Sequence, residues 1–597
     1  MAKIHEQDGL YELTDTTDLD PSLVNEDILP TPIKQRTWNQ WHIASLWVGM
    51  SVCIPTYMLA SSMIIGGLSW VEALVMILLG NVIVAIPMIF NGHAGTKYGI
   101  PFPVLGRASF GYHGIQIPSV LRALVACGWF GIQTWLGGLA FVAIASVLFG
   151  NPDLMQSWPA QFSGFIVFWL INMFFVWKGT ESIRVLETLA APVLILVGIG
   201  MLVWGINNAG GLDNILKSSA EFKKPTVVLT ASDSGMIGEF NLLKDADGNA
   251  RAKKYRYIFT ENDKLSDDEK KALTAKTYQP IPQKLTFGSE HKDKKLAIQF
   301  QGEVAGKPCK TDPNDEDEST CPESSPLVVA ASTGKTNEGT SLMTYLTWLT
   351  AMVAFWATLA LNIPDITRYA KSQKDQAVGQ FLGLPTTMVL YSFIGVAVTC
   401  AAIIIFDDIL ITADAPWDPI RLIARLEDQP VLMVCAQLAI LLATLSTNIA
   451  ANVISPANSF ANLMPTKISF KMGGYITGVV GILIMPWKLL GVIVGFLLTY
   501  GAILGPVVGI LLADYFIINK KELALDELYK TKSRYSFSGG FNPLAVIALT
   551  LGIVIVLLGL FVPAMKPLYD TGWFVGFFIS FLVYVIGMKA THKAIET

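Results

Sequence analysis

Charge is what this sequence has least of. Only 15% of its 597 residues are Asp, Glu, Lys or Arg, 52% are hydrophobic, and the mean hydropathy is +0.48. That balance excludes a soluble globular protein. Basic character is also missing: the formal net charge is -4, and no Lys/Arg cluster is interleaved with aromatics, so a nucleic-acid partner is excluded. Residues 1–36 are polar and acidic and lack both an apolar run and a small-residue cleavage site, which excludes a removable secretory signal there. The first apolar block must target the chain itself.

Long apolar runs are what the chain has instead. A spanning helix needs roughly 20 apolar residues, and about twelve blocks qualify: 43–66, 71–91, 115–149, 161–177, 186–206, 341–363, 378–406, 430–454, 473–487, 489–517, 542–563 and 571–589. Lys and Arg in short joints resist translocation. They alternate along the chain, with Lys34 and Arg36, Lys97 and Arg107, Lys178 and Arg184, Arg368 and Lys371, Lys467 and Lys471, and Lys520 to Arg534 all falling on one side. That side is read as cytoplasmic, with both termini on it and the protein multi-pass in a plasma (cytoplasmic or inner) membrane.

Nearly half of the charged residues lie between Gly211 and Gly339. This segment falls on the outer side, where long loops pass regardless of charge. Thr226 to Thr230 and Leu296 to Phe300 read as short strands and Ser266 to Ala275 as a short helix, together a small folded appendage. The run from Asp315 to Glu318 lacks the spaced ligands and turn glycine of a calcium loop. Cys53, Cys127, Cys400 and Cys435 fall in apolar blocks as small buried hydrophobes. Cys309 and Cys321, alone in an oxidising compartment, form a candidate disulfide. His291 is the segment's one histidine, and it has no zinc spacing or phosphate loop. No enzyme activity and no cofactor are implied.

Broken helices mark transporter sites, because unwound backbone at membrane depth must line a cavity or be buried in protein. In the first block Pro55 cannot donate to the Ser51 carbonyl, which frees carbonyls near Gly49 to Val52 as cation ligands. A plain proline kink would read the same. Trp129 and Gln133 are four residues apart and share a helical face. An indole beside a carboxamide stacks on a flat ring and bonds its edge, although a packed Trp with a bridging Gln has the same spacing. Phe355 and Trp356 add a second deep aromatic wall in the sixth block. In the eighth, Ser446, Thr447, Asn448 and Asn452 put four polar side chains into seven residues, costly in hydrocarbon without a partner. Hydroxyls and carbonyls suit a hard monovalent cation; small polar residues also join helices. Asp365, after Pro364, reads as a loop or gate charge near Arg368.

The runs Ile54-Pro55-Thr56-Tyr57, Gly106-Arg107-Ala108-Ser109-Phe110-Gly111, Trp129-Phe130-Gly131-Ile132-Gln133-Thr134-Trp135, Asn362-Ile363-Pro364-Asp365 and Leu445-Ser446-Thr447-Asn448-Ile449-Ala450-Ala451-Asn452 carry a family likeness. In these, from Trp38 to about Tyr535 and apart from the outer segment, the chain resembles the nucleobase:cation symporter-1 family of hydantoin, allantoin, uracil and cytosine permeases. The resemblance implies a leucine-transporter-like fold of two inverted five-helix repeats plus two helices. It also implies that Trp129 stacks on the substrate ring, Gln133 and Asn452 bond its amide edges, and Trp356 closes the other side. A sodium position would correspond to the carbonyls of Gly49, Val52 and Ala443 with the hydroxyls of Ser446 and Thr447. Two departures bear on the substrate. Cys53 stands where many relatives carry a more polar residue, which weakens a contact, and Phe355 replaces a glycine and argues for a compact cargo.

The expectation is therefore an all-α membrane protein of about twelve spanning helices. Residues 1–40 would be a cytoplasmic tail, 41–207 the first repeat, 208–340 the outer insertion, 341–518 the second repeat, and 519–597 a loop and the last two helices. The function read from it is import of a small heterocycle by cation symport with alternating access. The coupling ion is Na+ or H+, and the partners are the heterocycle, a monovalent cation and the lipid bilayer. Two rivals are the same fold carrying an amino acid or a thiamine-like compound, and a nutrient receptor that senses through the insertion.

Overall fold

The structure is a computed structural model that describes residues 4–65, 68–178, 180–218, 226–232, 235–241, 252–262, 265–282, 284–288, 291, 294–302, 327–329, 342–405, 420, 423, 430–489 and 493–596. Among the described residues, eight helices are long and apolar enough to cross a membrane, a bent pair forms a ninth, and three shorter apolar helices complete the set. In chain order they are span 1 (Gln40–Ser51 with Ile54–Ile65), span 2 (Trp70–Tyr98), span 3 (Gln116–Leu148), span 4 (Trp158–Lys178), span 5 (Thr180–Asn208) and span 6 (Leu342–Phe355 with Ala357–Asn362). Span 7 (Gln373–Ile405), span 8 (Pro430–Asn452), span 9 (Phe470–Leu483), span 10 (Ile493–Leu512), span 11 (Pro543–Leu557) and span 12 (Gly572–Glu596) follow. Each overlaps one apolar block of the sequence.

Local chemistry sets where these helices begin and end. Asn39 caps span 1, its Oδ1 accepting from the Trp41 and His42 amides at 3.0 and 3.1 Å. Ser69 and Glu72 form a capping box on span 2. Span 2 ends at Gly99 with φ +68°, where a Cβ would also meet the Arg36 guanidinium at 2.4 Å, so only glycine serves. Large apolar side chains point outward along the spans: Leu196 is 69% exposed and Ile586 67%, surface that only lipid covers without cost.

The packing of the two sets of five spans is similar. Span 1 lies against spans 5 and 7, and span 6 against spans 10 and 2; span 3 packs on span 8 at the centre. Spans 11 and 12 flank span 10 outside this pattern. Spans 3 and 4 approach closely because Gly138 and Gly164 face each other, a Cβ on Gly164 lying 2.4 Å from the Gly138 carbonyl oxygen.

The N-terminal segment is more structured than a polar tail suggests. Ile4–Gln7 and Leu10–Leu13 form an antiparallel hairpin, and residues 20–36 then thread beneath the bundle. Arg107 donates to the carbonyls of Leu23 (3.1 Å) and Leu528 (3.0 Å) and to Asn462 Oδ1 (2.6 Å). Arg368 donates to Asp27 O, Leu29 O and Thr31 Oγ1 at 2.7 to 3.0 Å. Arg36 reaches Thr31 O and Thr96 O, and burial pushes its guanidinium down to about 10, so it stays charged at neutral pH.

The insertion holds two antiparallel sheets. One joins Thr226–Ser232, Gly235–Asn241 and Lys284–Phe287; the other joins Gln279–Pro280, Ala252–Thr260, Lys295–Gly302 and Leu327–Val329. Leu229, Met236, Tyr255, Leu285, Leu296, Ile298 and Phe300 fill its core. A helix, Asp267–Thr274, is capped by Ser266. Cys309 and Cys321 lie outside the described residues.

Candidate functional site

Spans 1 and 6 are both interrupted. In span 1 the helix stops at Ser51; Val52 turns to ψ 80°, the Cys53 amide bonds back only to the Ser51 carbonyl (3.0 Å), and the second half leaves at 68° to the first. Span 6 breaks at Trp356 (φ -104°, ψ 7°), whose amide reaches the Val353 carbonyl at 3.2 Å, three residues back. No glycine or proline announces that second break. At the break Trp47 of span 1 lies edge-on to Trp356 at 5.3 Å.

Span 3 presents its aromatic to span 6. The Trp129 ring meets Phe355 at 5.5 Å, edge to face, and Phe355 meets Trp356 at 5.0 Å, so the phenyl ring connects the two candidate stacking indoles. Span 10 supplies two residues the sequence reading did not name. Phe496 lies 5.9 Å from Trp129, and Tyr500 packs on Phe496 and reaches the Phe355 carbonyl at 3.4 Å. Behind Trp129 a Cβ on Gly131 would lie 2.5 Å from the Gly481 carbonyl oxygen, so span 9 backs span 3 closely.

Gln133, one turn on, is 2% exposed, and its amide faces the Cys53 thiol at the span 1 break. Its Oε1 is buried without a hydrogen bond among the described residues. Such an atom costs about 1–3 kcal/mol unless something donates to it. Cys53 turns toward its own helix, Sγ lying 3.3 Å from Thr56 Oγ1. The Trp356 and Trp47 indole nitrogens are likewise buried and unbonded.

Span 8 meets both halves of the site. Thr447 Oγ1 donates to the Gly49 carbonyl at 3.0 Å and approaches the Met50 carbonyl at 3.3 Å, just before the span 1 break. Val52 and Ala443 share a small buried cluster, and Ser446, three residues past Ala443, is fully buried. Of the candidate cation ligands, Gly49 and Thr447 are thus in direct contact, and the Met50 carbonyl, within the stretch from Gly49 to Val52, lies beside them. Asn452 is buried on the same helix, its Nδ2 donating to Asn448 Oδ1 at 3.1 Å.

The sequence reading names Asn448 without assigning its partners, and it does not name Arg122. Asn448 donates to Asn172 Oδ1 (3.0 Å) and Thr134 Oγ1 (3.1 Å), tying spans 8, 4 and 3 together. Arg122 in span 3 is fully buried, bonded to Asn362 Oδ1 at 2.9 Å and to the Ala451 carbonyl at 3.3 Å. Arg122 is a lone charged residue in an apolar stretch, the signal that could have flagged it. Asp365 lies beside Arg122 and accepts from the Phe102 amide at 3.0 Å.

Comparison with known proteins agrees along most of the chain. A family model described as permease for cytosine/purines, uracil, thiamine, allantoin matches residues 30–241 and 324–576. The allantoin permease of Bacillus subtilis (strain 168) is 32% identical over 588 residues, covering 96% of each chain. The purine-uracil permease of Arabidopsis thaliana is 33% identical over 596 residues, covering 96% of this chain and 79% of its own. Among solved structures, Mhp1, a nucleobase-cation-symport-1 family transporter in a closed conformation with bromovinylhydantoin bound, superposes with a TM-score of 0.65 at 23% identity. It covers 96% of this chain and 97% of its own. A Na+-coupled sialic acid symporter superposes at 0.54 and 13% identity, covering 92% and 89%. The fold is the inverted-repeat transporter fold that the span packing describes, and the chain is a transporter rather than an enzyme. It belongs to the nucleobase:cation symporter-1 family, the permeases for cytosine and purines, uracil, thiamine and allantoin.

Proposed function

We propose that the protein imports an uncharged, amide-bearing heterocycle of the uracil, allantoin or hydantoin type together with a monovalent cation, Na+ or H+, by alternating access. The observation that carries this reading is that Trp129 and Gln133, on one face of span 3, meet the two broken spans at their breaks, Trp129 through Phe355 and Gln133 through Cys53. An indole there stacks on a flat ring, and a carboxamide bonds its edge. Trp356 closes the opposite side, and Asn452 supplies a second carboxamide.

For the cation, the carbonyls of Gly49, Val52 and Ala443 and the hydroxyls of Ser446 and Thr447 form the candidate set. The Thr447 contact with Gly49 O supports it, since span 8 already meets span 1 where carbonyls are released. Cation and substrate then stabilise the same arrangement of the broken spans, and each raises the affinity of the other equally. The membrane is the plasma or inner membrane, with both termini cytoplasmic, as the Lys and Arg of the joints suggest.

Radiolabelled uptake tests the pocket. Trp129→Ala and Gln133→Ala should each weaken uptake at low substrate by about fivefold or more while membrane levels hold, because a lost stacking contact is worth about 1 kcal/mol and an unpaired amide about 1–3 kcal/mol. Normal uptake in both variants would refute the assignment.

A further inference from the structure

We propose that Asn172, Thr134 and Asn448 form a directional relay that fixes the polarity of Asn452, so that the ligand edge meeting Asn452 must carry an N–H donor. The inference rests on the reading above, in which Asn452 bonds the substrate.

The relay starts from groups whose role cannot invert. The Phe168 carbonyl only accepts, and Asn172 Nδ2 lies 2.8 Å from it; Asn172 Oδ1 must therefore face Asn448. Thr134 spends its hydroxyl proton on the Phe130 carbonyl at 2.7 Å, which leaves its oxygen as an acceptor. Asn448 Nδ2 meets both acceptors, at 3.0 and 3.1 Å, with the Phe130 carbonyl also 3.3 Å away. Turning the Asn448 amide over would set its oxygen against three oxygens in a fully buried place. Asn448 Oδ1 thus points to Asn452, and Asn452 must answer with Nδ2, at 3.1 Å. What remains for a ligand is Asn452 Oδ1, an acceptor, with one spare N–H beside it. A ring edge of the type O=C–N–H fits that pair; an edge without N–H leaves Oδ1 unpaired. Asn172, Thr134 and Asn448 are positioning residues that act through Asn452.

The test uses purified full-length protein and equilibrium binding of labelled uracil, competed by 1,3-dimethyluracil, which has no N–H. The parent should bind uracil at least about tenfold more tightly than the dimethyl compound; equal binding overturns the proposal. At position 134 the relay predicts an order that packing reverses. Thr134→Ser, which keeps the oxygen, should hold uracil affinity within about twofold, and Thr134→Val, which keeps the shape, should weaken it about tenfold. Asn172→Leu should weaken it similarly. An innocuous Thr134→Val with a damaging Thr134→Ser overturns the relay. The failures separate through Trp129→Ala: if that variant binds uracil normally the pocket reading falls, whereas if it loses uracil while the Thr134 order is reversed, the relay falls alone.

Discussion

Thr447 and Asn452 are five residues apart on one helix, and their side chains leave it about 140 degrees apart. Thr447 bonds the Gly49 carbonyl of span 1, and Asn452 bonds Asn448 of its own helix. Thr447→Ala should therefore weaken cation dependence first and substrate affinity second, through linkage, and Asn452→Ala should do the reverse. Substrate binding measured across a sodium titration at fixed pH, and across pH without sodium, checks both. If Thr447→Ala leaves both dependences untouched, span 8 only packs. Phe355 gives a second test at this scale. Its ring lies edge-on to both Trp129 and Trp356, so Phe355→Gly should admit a bulky 5-substituted hydantoin that the parent rejects. Unchanged rejection in a folded variant would show that something else limits cargo size. The Trp129 and Gln133 pair is legible in the sequence because a four-residue spacing on a helix leaves one geometric outcome. The partners of Asn448 are not, since a polar side chain in an apolar block declares that it needs a partner without saying which span supplies it.

Elements differ in the same way. The span 1 break is readable at Pro55, which lacks an amide proton, while the span 6 break at Trp356 has no glycine or proline to announce it. The N-terminal segment reads as a solvated tail, yet its backbone carbonyls satisfy arginines buried beneath the bundle. The sequence does not give those arginines these partners, because their acceptors lie hundreds of residues away or on a segment with no apolar pattern. Arg107→Ala would leave the Leu23 and Leu528 carbonyls and Asn462 Oδ1 without that donor. Each buried unpaired group costs about 1–3 kcal/mol, so the thermal midpoint in detergent should fall clearly. An unchanged midpoint would mean the segment is not fastened this way.

For the whole molecule, packing sets spans 1 and 6, with their breaks, beside spans 3, 8 and 10, and spans 11 and 12 stay outside. Twelve apolar blocks foretell the spans, since bilayer thickness fixes their length, and the repeat itself came from family motifs rather than from hydropathy. The insertion between spans 5 and 6 has its own core of Leu, Ile and Phe and contributes none of the candidate site residues. Deleting residues 211–339 with a short flexible replacement should leave uptake intact; its loss in a variant that still reaches the membrane would favour a receptor-like role for that segment.

Coupled transport is the central claim, and uptake into proteoliposomes measures it most directly. Purified protein should concentrate labelled uracil or allantoin above equilibrium when an inward Na+ or H+ gradient is imposed. Ionophores that collapse the gradient should abolish the accumulation, and Trp129→Ala should slow it by about fivefold or more at low substrate. Equal internal and external substrate under both gradients, or accumulation that survives their collapse, would contradict cation symport.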